Sequence, residues 1–165
     1  MRLSIDPAGS IFTQHQRWRC ALGKGGIVLD KVEGDGATPA GDWFLGRVFY
    51  RPDRQKSPKT GLSIVAMNAN MGWCDDPHHS DYNRLINLPH PARHEKMWRD
   101  DELYDVVVEI LYNTDPIIAG KGSAIFMHVA KPDYSPTEGC IALCLSDLLD
   151  LLQMCNEGDA VHVPA

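Results

Sequence analysis

Turn formers recur so densely along this chain that little of it can be helical. Fourteen glycines and eleven prolines in 165 residues cut the apolar sequence into short pieces. The pieces are rich in β-branched and aromatic side chains and bounded by Gly, Pro, Asn, Asp or Ser, which predicts strands. About nine follow: Arg2–Ile5, Ile11–Thr13, Trp18–Leu22, Ile27–Leu29, Trp43–Tyr50, Leu62–Met67, Asp105–Asn113, Ala124–Val129 and Ala160–Val163. Two stretches suit helices. Glu95–Leu103 carries Trp98 on one side with Arg99 near it, and Asp147–Asn156 places Leu148, Leu149, Leu151, Leu152 and Met154 against a core. Ser146 is the expected N-cap of the second and Gly158 its stop. The expected fold class is mostly β, with sheets bending around the Ala124–Leu143 stretch.

A length of 165 residues fits one domain over 1–165. The net charge of -6 argues against nucleic acid as a partner, because such binding rests on neutralising phosphates. No stretch approaches the length of a membrane span. The five cysteines, Cys20, Cys74, Cys140, Cys144 and Cys155, are odd in number and lack metal-ligand spacing, which speaks against a disulfide framework. Met1–Cys20 has no apolar core of a secretory signal, being interrupted by Asp6, Pro7, Gly9, Gln14, His15, Gln16 and Arg17.

The chemistry concentrates in Ala124–Leu143, AIFMHVAKPDYSPTEGCIAL. His128 lies at the end of an apolar strand. Lys131, Pro132, Asp133, Ser135 and Pro136 carry turn chemistry, so the chain is expected to reverse and bring Cys140 back beside His128. A thiolate is the nucleophile in cysteine chemistry, and a neighbouring imidazole can take its proton and steady the anion. Gly139 permits a sharp backbone turn. It would leave the amides of Gly139 and Cys140 facing a developing oxyanion. A buried structural cysteine beside a core histidine is the plainer reading, and a polar loop of Thr137, Glu138 and Gly139 is an odd place for it.

These residues resemble the motif of the YkuD-type L,D-transpeptidases, a histidine followed after a loop by [ST]-x-G-C-[IV]-x-L, here His128 and then Thr137 to Leu143. Lys31–Leu45, KVEGDGATPAGDWFL, is similar to a second block of compact members. The resemblance implies a YkuD β-sandwich and an enzyme in which Cys140 attacks a stem-peptide carbonyl at an L-centre. His128 would act as the base, oriented by a backbone carbonyl. The implied product is a peptidoglycan crosslink, 1,3 (L-Ala to diaminopimelate) or 3,3, with hydrolysis as an L,D-carboxypeptidase as the close rival. A non-catalytic wall-binding module is the alternative from another class. Many members carry histidine and arginine where this chain has Glu138 and Ala142, so the motif arginine does not carry over. The resemblance implies the periplasm or cell wall, while the N-terminal sequence leaves a cytoplasmic place open. It implies no cofactor and sets no oligomeric state.

Asn68–Arg93 is the least regular portion and reads as a lid or substrate-binding insertion ordered by Trp73 and Tyr82. His78, His79, His90 and His94 raise the question of a metal. Pro91 disfavours the helix on which His90 and His94 would be joint ligands, and no metal is expected. Stem peptides carry carboxylates, so an acidic protein needs local cations to hold them. The candidates are Arg84 beside Tyr82 and Asn83, and Arg99 beside Trp98, with Thr137 at the motif and Lys31 and Lys131 next in line.

Overall fold

The computed structural model describes residues 1–165. In chain order the strands are β1 (Arg2–Asp6), β2 (Ser10–Phe12), β3 (Arg17–Arg19), β4 (Ile27–Val28), β5 (Thr38–Pro39), β6 (Gly41–Tyr50), β7 (Ile64–Ala66), β8 (Met71–Cys74), β9 (Leu85–Asn87), β10 (His94–Lys96), β11 (Val106–Ile110), β12 (Phe126–Val129), β13 (Ile141–Leu143) and β14 (Ala160–Val163). The single helix, α1 (Leu145–Leu152), lies between β13 and β14. The fold is mostly β, consistent with a YkuD-like arrangement.

Nine strands form one sheet in the order β13-β12-β11-β6-β14-β1-β2-β3, with β7 added to β6. Just past β3, Ala21 exchanges both backbone hydrogen bonds with Ala142 of β13, at 2.8 and 2.9 Å. That pair joins the two ends of the sheet, so it curls on itself like a barrel and hides its edges. Long β6 belongs to both halves, meeting β14 along its first part and β11 along its second.

Side chains alternate across a strand, and here both faces are covered. Val106, Val108 and Ile110 of β11 point into a 22-residue interior cluster that also holds Leu148, Leu151 and Leu152 of α1. Val107 points the other way, into a second cluster with Phe49, Trp73, Met97, Tyr104, Phe126 and Cys140. The same alternation puts Met127, Val129, Ile141 and Leu143 inside and Phe126 and Cys140 outside. A small antiparallel sheet, β10-β8-β9, lies over that outer face. Burial on both faces explains why β11, β12 and β13 are apolar apart from Glu109 and His128.

Four expectations need correction. Glu95–Leu103 is not a helix: His94–Lys96 pairs with β8, and Met97 is fully buried in the second cluster. Tertiary pairing overrides the local pattern there. The irregular insertion at 68–93 contains two strands of the covering sheet. α1 starts earlier, with Cys144 as N-cap in an extended conformation and no side-chain cap, and it is over before Gly158, which lies in the turn into β14. Finally, β12 and β13 are parallel, not a hairpin. Residues 130–140 carry the chain back to the start of the neighbouring strand. Their path is pinned where Thr137 bonds Leu22 and Lys24 and where Ala130 N–H reaches Leu143 carbonyl.

Candidate active site

Parallel pairing sets Met127 opposite Ile141 and His128 opposite Ala142, and just before that register Phe126 lies against Cys140. Residues two apart share a face, so His128 and Cys140 both lie on the outer side of the β12–β13 pair. Both line a cleft of about 530 Å³ together with Lys31, Glu33, Glu95, Arg99, Tyr104 and Lys131, among others. The two motif residues, distant by a loop in sequence, open into one space.

The cysteine is held by its neighbours. Phe126 N–H donates to Sγ at 3.4 Å, and the thiol donates to Ala124 carbonyl at 3.3 Å. Burial, with Glu95 adding to it, pushes the thiol up to about 12. His128 Nδ1 donates to Val129 carbonyl at 2.9 Å, which fixes the tautomer and leaves Nε2 as the basic atom. Burial brings the imidazole down to about 4, and Arg99 pushes in the same direction. The resting pair is therefore neutral thiol and neutral imidazole.

The turn before the cysteine is built from both sequence blocks. Thr137 Oγ1 donates to Cys140 carbonyl at 2.6 Å and accepts Gly139 N–H at 3.1 Å. The Gly139 amide is therefore occupied, and only Cys140 N–H remains of the two amides expected to face an oxyanion. Gly139 has φ +128°, and a Cβ there would meet Ala37 carbonyl oxygen at 2.7 Å. Thr38 Oγ1 donates to Gly139 carbonyl and accepts Gly23 N–H, both at 2.9 Å. The KVEGDGATP block thus buttresses the turn that presents Cys140. Buried Lys31 is neutralised by Asp35 at 2.7 Å, and Glu33 accepts hydrogen bonds from Tyr82 and Ser123.

The basic residues singled out from sequence separate. Arg99 lines the cleft, forks onto Asp101 at 2.8 and 2.6 Å, and lies 5.2 Å over the Tyr104 ring. Trp98 does not partner it; Arg51 stacks there instead, at 3.7 Å. Arg84 is exposed and outside the cleft lining. Tyr82 and Asn83 are buried. Asn83, at φ 55°, accepts from Trp73 Nε1 and Ala124 N–H and donates to the carbonyls of Tyr112 and Asn113, so it ties the covering sheet to the barrel. Lys131 is exposed at the rim and pairs with no carboxylate.

Sequence reading missed Glu95 and Tyr104. Tyr104 donates to Glu95 Oε1 at 2.5 Å, and its ring meets His128 edge-on at 5.3 Å. The alternation Glu95–Met97 around an exposed Lys96 was the available signal, and a helical reading obscured it. His79, Asp81 and His90 gather with their ligand atoms within 4.8 Å. Yet Asp81 N–H donates to His79 Nδ1 and Ala92 N–H to His90 Nδ1. Both rings therefore carry the proton on Nε2, and His90 Nε2 lies 3.0 Å from Asp81. A neutral histidine binding metal through Nε2 keeps a donor on Nδ1, the opposite arrangement, so the trio fits a hydrogen-bonded loop clasp better than a metal site.

No helix is long and apolar enough to cross a membrane. No curated protein and no solved structure shows a significant match to the chain. The family model YkuD, the L,D-transpeptidase catalytic domain, matches residues 10–163. That match takes in both blocks, the covering sheet and α1, and the chain belongs to the YkuD L,D-transpeptidase catalytic-domain family.

Proposed function

We propose that this protein is a cysteine-dependent L,D-transpeptidase acting on peptidoglycan stem peptides, as one catalytic domain. The observation that carries the reading is the shared cleft of Cys140 and His128, with Nε2 left as the only basic atom of the imidazole. Sγ attacks the carbonyl carbon at an L-centre while its proton passes to Nε2. The proton then goes to the departing amine as the C–N bond breaks, leaving a thioester on Cys140. An incoming amine, the side-chain amine of diaminopimelate, attacks the thioester, forms the new amide and releases the sulfur. The free Cys140 N–H supports the oxyanion in both half-reactions.

Because the resting thiol is neutral and buried, proton transfer accompanies attack and no standing thiolate is needed. Ala142 sits directly across from His128, at the position where many family members carry arginine. Arg99 is near enough that its charge bears on the imidazole, so it supplies from another segment a cation that position 142 lacks. With Lys131 at the rim it would hold the substrate carboxylates. Incubation with purified muropeptides followed by mass spectrometry tests the reading. Crosslinked dimers, 1,3 or 3,3, support transpeptidation; shortened monomers alone would assign hydrolysis, and no change would leave a wall-binding module.

A further inference from the structure

Transfer to an amine acceptor sheds two protons, one from the ammonium before attack and one as the amide forms. His128 handles one. Glu95 lies on the edge strand β10 of the covering sheet, in the lining of the same cleft. Its Oε1 accepts from Tyr104, the residue packed against the His128 ring. Its Oε2 has no protein donor and is no buried orphan, so it opens to the cleft. The other cleft carboxylates are occupied: Asp75 and Glu138 by Arg93 and Lys24, and both oxygens of Glu33 by Tyr82 and Ser123. Arg99, whose charge bears on Glu95, pairs with Asp101 and gives Oε2 no hydrogen bond.

Building on the transpeptidase reading, we propose that Glu95 is the catalytic residue of the second half-reaction, binding the acceptor ammonium through Oε2 and removing its first proton. The ammonium N–H transfers its proton to the carboxylate, giving a neutral amine and a carboxylic acid. The amine lone pair then forms the C–N bond as the C–S bond breaks, its second proton passes to His128 Nε2 and on to the sulfur, and Glu95 returns its proton to water. Burial raises the Glu95 carboxyl to about 7, with Asp75 and Glu33 raising it and Tyr104 and Arg99 opposing them. A group poised there exists in both forms at neutral pH, as a base that must reset each turnover requires. Donor acylation needs no such group, because its nucleophile is the thiol.

The test uses the full chain, wild type and Glu95→Gln, each first acylated with a stem tetrapeptide and then offered diaminopimelate or hydroxylamine, the latter already neutral at neutral pH. Thioester decay is followed by intact mass. Glu95→Gln is expected to lower release by diaminopimelate about 10- to 100-fold relative to release by hydroxylamine. Glu95→Asp should recover part of that ratio. Hydroxylamine release from the same sample reports an intact site. An unchanged ratio in Glu95→Gln overturns the proposal. If Glu95→Gln does not acylate, Glu95→Asp carries the test: a diaminopimelate-to-hydroxylamine ratio below that of wild type supports the proposal, and an unchanged ratio overturns it. Absence of a thioester in wild type would instead defeat the reading on which it rests.

Discussion

Glu95→Gln also makes a prediction about stability that needs no substrate. Burial raises the carboxyl from an ordinary 4.5 to about 7, against the pull of the Tyr104 hydrogen bond. Between those values the unfolded chain has released a proton that the folded protein still holds, so the stability contributed by this group is complete below pH 4.5 and is lost as pH rises through 7. Each tenfold change in proton affinity is worth about 1.4 kcal/mol, and the open oxygen admits some water, so the loss is about 2 to 3 kcal/mol. Glutamine has nearly the shape of the protonated acid and does not titrate. The variant should match wild type near pH 4.5 and exceed it by about 2 to 3 kcal/mol at pH 8, about 5 to 10 °C in Tm for a chain of this size. Urea melts of both proteins across that range measure the difference, and groups common to both cancel. A difference constant with pH, or one favouring wild type at pH 8, would show that the carboxyl is ionised throughout and would refute the reasoning.

Gly139→Ala should cost about 1 to 3 kcal/mol in urea melts, from the left-handed backbone and the contact with Ala37 carbonyl, and should slow acylation in the same protein. Thr38→Val removes the hydroxyl between Gly23 N–H and Gly139 carbonyl and should destabilise by about 1 to 3 kcal/mol. His128→Gln should lower acylation by about 100-fold or more, and the wild-type acylation rate should fall on the acid side through about pH 4, where the imidazole gains its proton. Arg99→Ala and Lys131→Ala should each weaken use of stem peptide in steady-state assays, while Arg84→Ala, lying outside the cleft, should change it by less than about twofold.

Much of this molecule is legible in its sequence because β-structure punctuated by turn residues leaves local marks. Strand β6, the buried run of β11 and strand β12 follow from apolar continuity and their bounding residues. His128 and Cys140 are found from residue type and the sequence blocks alone. What local pattern cannot carry is direction and partner. Nothing in residues 130–140 distinguishes a return beside β12 in antiparallel from one in parallel, since the choice rests on contacts with Leu22 and Lys24 far upstream. Met97 and Trp98 read as a helical face until Met97 is buried under Phe126's cluster and Trp98 is covered by Arg51. Arg84 and Arg99 have similar neighbours in sequence but opposite exposure to the cleft. Glu95 becomes informative only once its burial and its bond to Tyr104 are visible.

The central claim is that Cys140 carries the acyl group. Intact mass of the protein after brief exposure to a stem tetrapeptide, followed by peptide mapping, measures this directly. Wild type should gain the mass of the acyl donor on the peptide containing Cys140, labile to hydroxylamine, and Cys140→Ala should gain none while melting at a similar temperature. Crosslinking or hydrolysis retained by Cys140→Ala, or an adduct found instead on Cys20, Cys74, Cys144 or Cys155, would contradict it.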